Sequence, residues 1–351
     1  MKGNYKVVVN TAAGRRRYLQ YLIPLVLESD IVDRYDLWVN TTDKLDVAFL
    51  EEVAMAFPKI NLIWQPENVI NGCLSISAFY KYCCDEDTIY IKLDDDIVWL
   101  EPNFFEELVS FRISHRDYFL VSPLVINNCI STYILQSQSL ISFKDYFKAT
   151  SYNLKWYNGY FAKELHDWFI DTYLLPNSYE KLHCGSHEIA LNRFAINAVA
   201  WFGEDLSAFD GNVVGDDEEF LSVIYPLKSN KTNCFHCNTI AAHFSFSLQR
   251  TVLDKTNLLT RYSKILEKEN RPASFYTVYN KIQEILKGIE HKKDRILSAA
   301  LSHPYIQIKL AQKHDRIIRL MGFFLKINKA YLHELIPIYT SILRANRKYI
   351  K

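Results

Sequence analysis

Three consecutive carboxylates, Asp94, Asp95 and Asp96, follow a short apolar run with the composition of a buried strand. Neighbouring like charges repel one another and lose hydration when partly buried, so a positive group must offset them. Mg²⁺ and Mn²⁺ prefer carboxylate oxygens and leave positions open for phosphates. Because alternate side chains of a strand share a face, Asp94 and Asp96 are predicted to hold this cation. Asp95 would face a hydroxyl or a basic group on the other side.

The same triplet could be an acidic turn in solvent, as many isolated acidic motifs are. However, the apolar run 97–100 continues directly after it, and Glu101-Pro102 then begins a predicted helix. The acids therefore lie between two buried segments, which favours a binding site over a solvated turn.

A second acidic group, from Asp216 to Glu219, opens a predicted helix that Pro226 ends. Acids in the first turn of a helix cap its amide groups and pair with its dipole. A structural role is therefore as well supported as a chemical one.

His243 lies in a last strand-like run and is followed by Gln249 and Arg250. A lone histidine in an apolar run is often a core residue, but histidine is also a common metal ligand. Gln249 and Arg250 are suited to holding a diphosphate, which keeps the ligand role open.

The first two predicted strands, Tyr5–Asn10 and Tyr35–Asn40, also end in small, polar or basic residues. Ligands of open α/β sheets bind beyond the carboxyl ends of the strands, although Arg15–Arg17 could equally be a solvated basic turn. A phosphorylated or nucleotide ligand is therefore expected at this edge. The residues predicted to bind it are Thr11, Ala12, Arg15, Asn40, Lys92, Asp94, Asp95 and Arg250.

Strands and helices alternate over the first half of the chain. Further strands are predicted at 60–64 and 88–93, with helices at 18–28, 45–57 and 71–84 between strands. This alternation predicts a mostly parallel, Rossmann-like α/β sheet flanked by helices, with right-handed crossovers. Residues 129–182 are aromatic and irregular, which predicts an acceptor-side insertion whose rings either stack on sugars or belong to the core.

Composition indicates an ordinary globular chain of 351 residues, with 49% hydrophobic and 23% charged residues and a formal net charge of +1. Glycine is scarce, at 10 residues, and no glycine-rich phosphate loop of the usual spacings is present. The charge is uneven, because residues 251–351 carry 20 basic and 8 acidic residues, a net of +12, which leaves −11 for residues 1–250. We therefore predict a catalytic domain over 1–250 and a basic helical region over 251–351.

The basic region suits an anionic membrane surface, or is the solvated face of ordinary packed helices. From residue 301 onward, the basic side chains considered for this contact are Lys309, Lys313, Arg316, Arg319, Lys326, Lys329, Arg344, Arg347 and Lys348. Nucleic acid is not an expected partner, because no reading module is recognisable. The N-terminus reads as a strand and not as a signal peptide, and no apolar window is long enough to span a bilayer. The expected location is the cytoplasm, with peripheral contact at the inner face of the membrane.

The strand that ends in Lys-Leu-Asp-Asp-Asp-Ile and continues to Leu-Glu-Pro resembles the DXD motif of the GT-A superfamily of glycosyltransferases. The resemblance covers roughly residues 5 to 250. It implies that a divalent cation is held against the diphosphate of a nucleotide-sugar donor by Asp94 and Asp96, with His243 as a further ligand. It also implies that Asp217, or its neighbour Asp216, is the catalytic base, and that the acceptor is a glycan or a lipid-linked glycan.

The expected activity is therefore Mn²⁺- or Mg²⁺-dependent hexosyl or pentosyl transfer in polysaccharide biosynthesis, from a UDP-sugar by preference and with inversion. Two alternatives stay open. A nucleotidyltransferase or another phosphate-transfer enzyme also gathers carboxylates at strand ends. A carbohydrate-binding protein without activity could use the aromatic segment and the basic tail.

A structural zinc site is a separate possibility. Cys234 and Cys237 have the C-x2-C spacing, and His183, Cys184 and His187 could complete four ligands. No second C-x2-C pair exists, and cysteine is also a common small core residue.

Overall fold

The computed structural model describes residues 3–65, 79–150 and 153–299, which form an α/β fold around one nine-stranded sheet. The strands are β1 Lys6–Ala13, β2 Arg34–Val39, β3 Ile60–Ile63, β4 Thr88–Leu93, β5 Ile97–Leu100, β6 Val121–Ile126, β7 Ser186–Ile189, β8 Ala198–Phe202 and β9 Asn233–His243. Their order is β3-β2-β1-β4-β8-β6-β9-β5, with β7 paired to β9.

The sheet is mostly parallel. Strands β1, β2, β3 and β4 pair in parallel, and so do β6 and β9. Strand β8 runs antiparallel between β4 and β6, while β5 and β7 pair antiparallel with β9. Every residue of β4, β5, β6 and β8 is buried, as expected for continuous apolar strands that are covered on both faces. The predicted fold class is confirmed.

Helices flank the sheet and have the following bounds: α1 Arg16–Leu27, α2 Lys44–Ala56, α3 Phe104–Ser114, α4 Cys129–Ser137, α5 Gly159–Phe169, α6 Gly203–Ser207, α7 Asp217–Glu219, α8 Tyr225–Ser229, α9 Arg250–Leu253, α10 Leu258–Leu266, α11 Ala273–His291 and α12 Lys293–Ser298. Helix α2 begins where Asp43 accepts hydrogen bonds from the amides of Leu45 and Asp46. Most of the helix predicted at 71–84 lies outside the described residues, and Tyr80–Tyr82 is a 3₁₀ turn.

The aromatic segment 129–182 contributes mainly to the core. Phe147, Trp156, Phe161 and Phe169 are buried and pack on one another or on neighbouring strands, while Tyr160 is exposed. Burial of these rings stabilises the sheet from one side. The segment therefore serves as packing along most of its length.

The described part of the C-terminal region packs on the sheet's helices. Helix α11 contacts α1 and α2, and it buries Phe275, Ile282 and Ile289. The indole of Trp99 in β5 donates a hydrogen bond of 2.6 Å to Glu269. The basic residues from Lys309 to Lys348 lie outside the described residues. Within the part described, we find no helix of sufficient length and apolarity to span a bilayer.

Candidate active site

The acidic triplet forms the tight connection between β4 and β5. The amide of Asp94 donates to the carbonyl of Asn197 at 2.8 Å, and the amide of Ile97 donates to the carbonyl of Asp94 at 3.1 Å. These bonds turn the chain at the carboxyl end of β4, beside β1 on one side and β8 on the other. The three carboxylates are thereby presented at the ligand-binding edge of the sheet.

Asp94, Asp96 and His243 converge at this edge. One ligand atom from each lies within 4.8 Å of the others, and Nε2 of His243 is 3.2 Å from Oδ1 of Asp96. The reason is sheet register, since Ile97 in β5 pairs with His243 at the end of β9. Asp96 Oδ2 is buried against Arg15 and Arg250, whereas His243 Nδ1 is buried without a hydrogen-bond partner. An orphaned imidazole nitrogen requires an explanation, and two carboxylates with one imidazole fit a divalent cation.

Asp96 is also the point where cationic side chains meet. Arg15 lies 2.9 Å and Arg250 lies 3.8 Å from its Oδ2 atom, and only 1% of the residue is exposed. Burial by itself would raise the pKa of Asp96, but Arg15, His243 and Arg250 together hold it well below its usual range. Asp96 therefore remains charged without a bound cation.

Asp95 shares the guanidinium of Arg15 with Asp96, so the prediction that strand alternation separates the two carboxylates is wrong. It accepts a hydrogen bond of 3.0 Å from the amide of Gly14 and a charge-assisted bond of 2.9 Å from Nε of Arg15. A Cβ atom on Gly14 would lie 2.8 Å from the carbonyl oxygen of Asn40, so this close approach of β1 and β2 requires glycine. Asp95 thus fixes the loop that carries Arg15.

Lys92 connects the triplet to the second acidic group. Its ammonium is buried, lies 2.5 Å from Oδ1 of Asp94 and donates to the carbonyl of Ile196 at 2.7 Å. Burial would lower the pKa of Lys92, but Asp94, Asp217 and Glu218 outweigh that and raise it. This lysine is therefore a permanent positive charge between the two groups.

The second acidic group lies at the start of α7. Asp216 caps the helix by accepting from the amide of Glu219 at 2.9 Å, and Arg193 lies 3.0 Å from it. Asp217 accepts a hydrogen bond of 3.1 Å from the hydroxyl of Tyr80, and burial raises its pKa despite Lys92 and Tyr80. Burial also raises the pKa of Glu218 to about 7, although Arg193 counteracts it. Both carboxyl groups therefore accept protons more readily than ordinary ones.

Both acidic groups line one cleft of about 680 Å³. The lining residues are Ala12, Gly14, Arg15, Asn40, Thr41, Lys92, Asp94, Asp95, Asp96, Arg193, Ile196, Asn197, Asp216, Asp217, Glu218, His243, Ser245, Phe246, Ser247 and Arg250. All the predicted site residues are therefore brought together except Thr11. The hydroxyl of Thr11 is fully buried, 3.0 Å from that of Tyr35, because alternation along β1 directs it away from the neighbouring Ala12.

Sequence reasoning missed several residues of this cleft, notably Arg193, Asn197 and Glu218. Asn197 donates to Oδ2 of Asp94 at 2.9 Å. It precedes β8, whose start lies at the same edge only because β8 runs antiparallel to β4. The direction of this strand leaves no local signal in the sequence. Residues 129–182 contribute none of the described lining.

A second group of potential metal ligands lies elsewhere. One ligand atom each from Cys184, His187 and Cys237 falls within a mutual distance of 4.8 Å. Cys234 is not part of this cluster, because residues three apart on the extended strand β9 point to opposite faces. His183 bonds to Glu101 at 2.8 Å. Of the C-x2-C pair in the sequence, only Cys237 therefore belongs to this cluster.

Comparison with known proteins gives structural likenesses only. No protein-family model and no curated protein sequence matches the chain. A crystal structure of a mycobacterial protein aligns with a TM-score of 0.40 and 15% identity over 74% of this chain and 76% of the other. Glucosyl-3-phosphoglycerate synthase from Mycobacterium tuberculosis, solved with Mg²⁺ and UDP, aligns with a TM-score of 0.38 and 14% identity over 74% and 80%.

A further solved structure is also similar to this chain. The 4-diphosphocytidyl-2C-methyl-D-erythritol synthase from Anaerococcus prevotii aligns with a TM-score of 0.35 and 10% identity over 75% of this chain and 96% of the other. Alignments at this level do not assign a reaction, so the function is inferred from the cleft itself.

Proposed function

We propose that the protein is a metal-dependent glycosyltransferase that moves a sugar from a nucleotide diphosphate sugar, preferably a UDP-sugar, to a hydroxyl of a glycan or lipid-linked glycan. The observation that carries this proposal is the pairing, in one cleft, of a hard-cation ligand set with a separate, proton-accepting carboxylate. The first suits a departing diphosphate and the second an attacking hydroxyl.

Asp94, Asp96 and His243 would hold the cation, Mn²⁺ or Mg²⁺, and the unpartnered Nδ1 atom of His243 supports this fit. When bound, such an ion supplies Lewis-acid stabilisation of the leaving diphosphate. Arg15 and Arg250 already lie on the same carboxylate. Their guanidinium groups would turn from Asp96 to the diphosphate oxygens, which offer the same planar, charge-assisted contacts.

The donor would lie along the carboxyl ends of β1, β2 and β4. Ala12 and Asn40 line this part of the cleft, and Lys92 adds a fixed positive charge near Asp94. Asp95 has both oxygens engaged by Gly14 and Arg15, so it would position Arg15 rather than bind the sugar.

Asp217 would act as the base in an inverting transfer. Its raised pKa makes it a better proton acceptor than an ordinary aspartate, and Tyr80 holds one of its oxygens in place. Asp216 is more exposed and caps α7, so it would position Asp217. Contact of residues 251–351 with an anionic membrane is a further part of the proposal, and it depends on basic residues beyond 299.

The proposal is tested by ligand-induced stabilisation. With Mn²⁺ present, we expect one nucleoside diphosphate, UDP by preference, to raise the melting temperature, because a ligand at 100 times its Kd stabilises by about 2.7 kcal/mol. Asp94→Asn should abolish this rise. Asp36→Asn is the matched control, since Asp36 is a buried, ion-paired aspartate of the same sheet outside the cleft.

Product analysis with the matching nucleotide sugar then decides the reaction. Glycosyl transfer or slow donor hydrolysis releases an intact nucleoside diphosphate. Release of pyrophosphate from a nucleoside triphosphate would instead establish a nucleotidyltransferase. The absence of any Mn²⁺-dependent nucleotide effect in a folded sample would contradict both and leave a binding protein.

A further inference from the structure

The side chains of Cys184, His187 and Cys237 form a compact sulfur and nitrogen cluster outside the cleft. One ligand atom from each lies within 4.8 Å of the other two, and neither thiol is in a disulfide. None of the three residues lines the cleft. We propose that these residues bind one zinc ion, independently of the cation proposed for Asp94, Asp96 and His243.

The donor chemistry points to zinc rather than to magnesium or calcium. Thiolates and imidazole select soft or borderline ions, whereas the cleft set consists of two carboxylates and one imidazole. With Zn–S near 2.3 Å and Zn–N near 2.0–2.1 Å, the ligand atoms of a tetrahedral site are roughly 3.3–3.8 Å apart. A cluster within 4.8 Å can therefore close on the ion by small side-chain movements. The fourth position would be filled by water, because Cys184 and His187 are only half-buried.

The backbone brings the ligands together through two local departures from regular structure. Gly185 has φ +80°, a conformation that favours glycine, and it lets the chain turn between Cys184 and β7. The pairing of β6 with β9 shifts register between His236 and Ile240, so Cys237 lies at an irregularity of β9. The amide of Cys237 donates to the carbonyl of Gly185 at 2.8 Å, and the amide of Gly185 donates to Asn238 at 2.9 Å. Such bulges occur frequently at functional sites.

A zinc ion here would stabilise a short edge strand of the sheet. β7 has only four residues and pairs only with β9 among the described strands. A strand held along one side only has fewer ladder hydrogen bonds than a central strand. An ion shared between His187 in β7 and Cys237 in β9 would fasten this edge across the strands, with Cys184 fixing the chain that leads into β7.

The test uses the reduced wild-type protein, so no variant has to fold. Half-buried thiols are alkylated briefly with N-ethylmaleimide, either with Zn²⁺ or with a chelator, and each cysteine is read by peptide mass spectrometry. We expect zinc to slow labelling of Cys184 by roughly tenfold or more, because a bound thiolate is not free to attack. Cys84 is the matched control, a half-buried thiol outside the cluster whose labelling should not change.

Cobalt substitution gives the second readout. Co²⁺ should produce thiolate charge-transfer absorption in the wild-type protein and in Cys234→Ser, and no such band in the double variant Cys184→Ser/Cys237→Ser, which removes both thiols of the cluster. Cys234 is a suitable control because it is a buried cysteine of the same strand outside the cluster. The cleft contains no cysteine, so cobalt bound there cannot produce this band.

Three results would overturn the inference. One is equal labelling of Cys184 with zinc and with chelator. Another is a thiolate–cobalt band that persists in the double variant Cys184→Ser/Cys237→Ser. The third is recovery of a Cys184–Cys237 disulfide from protein purified without reductant, which would make the pair a redox site instead.

Discussion

The two acidic groups of the cleft contain the same residue types in opposite surroundings. At the end of β4, Asp95 and Asp96 face the guanidinium of Arg15, and Asp96 also faces Arg250 and His243. At the start of α7, Asp217 and Glu218 have fewer positive neighbours, chiefly Lys92 and Arg193. The pKa of Asp96 is held below its usual range, whereas those of Asp217 and Glu218 are raised.

The difference in pKa suits the two groups to two tasks: Asp96 to keeping its negative charge, and Asp217 and Glu218 to accepting protons. A carboxylate that stays ionised is suited to binding a cation, while one whose pKa lies nearer neutrality is suited to accepting a proton in a reaction. Asp96 is more deeply buried than Asp217 and Glu218, so its low pKa comes from Arg15, His243 and Arg250 and not from exposure to solvent. Asp95, which is also buried and has Arg15 as its described cationic partner, has a raised pKa. The following predictions test that division.

The largest expected effect is on catalysis at the start of α7. Asp217→Asn should lower kcat by about 10²–10⁴-fold, because it removes the proton acceptor while keeping the shape of the side chain. The Mn²⁺-dependent stabilisation by nucleoside diphosphate should stay within error of wild type, since the donor end of the cleft is unchanged. Steady-state kinetics and thermal unfolding on the same sample measure both.

Asp216→Asn serves as the comparison for this variant. Asparagine caps helices about as well as aspartate, so α7 should be preserved. We expect a smaller loss of kcat than in Asp217→Asn. A larger loss would transfer the role of base to Asp216.

The next effect is on stability at the end of β4. Asp96→Asn should reduce the free energy of unfolding by about 3 kcal/mol in the absence of metal, because it removes the buried carboxylate on which the half-buried Arg15 and Arg250 and the buried His243 converge. Urea unfolding in the presence of a chelator measures this. Asp94→Asn should cost less, since the Asp94 side chain is 25% exposed and faces the ammonium of Lys92 alone among cationic partners described for it. If both variants lose the same free energy of unfolding, the cationic side chains around Asp96 do not contribute more to stability than Lys92 does beside Asp94.

The smallest effect is a pH dependence of opposite sign. Glu218 has a pKa of about 7 in the folded protein against an ordinary value of 4.5, so the unfolded chain loses this proton first as pH rises. Its contribution to the free energy of unfolding therefore falls between pH 4.5 and about 7, by about 2–3 kcal/mol. Glu218→Gln should remove that fall and be more stable than wild type at pH 8.

Unfolding measured at pH 5 and at pH 8 checks this result. Glu219→Gln, at the exposed neighbouring position, is the control and should change stability by only a few tenths of a kcal/mol. Asp96 should behave in the opposite way, because its lowered pKa gives stability above its ordinary value of 3.8 that is lost on acidification. The prediction for Glu218 fails if the difference in free energy of unfolding between Glu218→Gln and wild type is the same at pH 5 and at pH 8.

Local sequence patterns were sufficient to predict the strands and the residues at their carboxyl ends. The apolar runs before Asn40 and Asp94 identified parallel strands, and parallel strands place their carboxyl ends at one edge. His243 was predicted by resemblance, and its meeting with Asp96 depends on the register of β5 against β9. Glu218 was treated as a cap, because its partial burial depends on packing that no local pattern encodes. Thr11 was taken as cleft-facing, although the alternation that places Ala12 in the cleft directs Thr11 away from it.

The register between β5 and β9 has a consequence for how the protein matures. Asp96 and His243 are far apart in sequence, so their meeting requires closure of a long loop, which is slow and occurs late in folding. A one-residue slip of β9 would turn the imidazole to the other face of the sheet. A growing chain that ends before β9 would have the aspartates without the histidine. Acquisition of the full ligand set would thus mark completion of the domain.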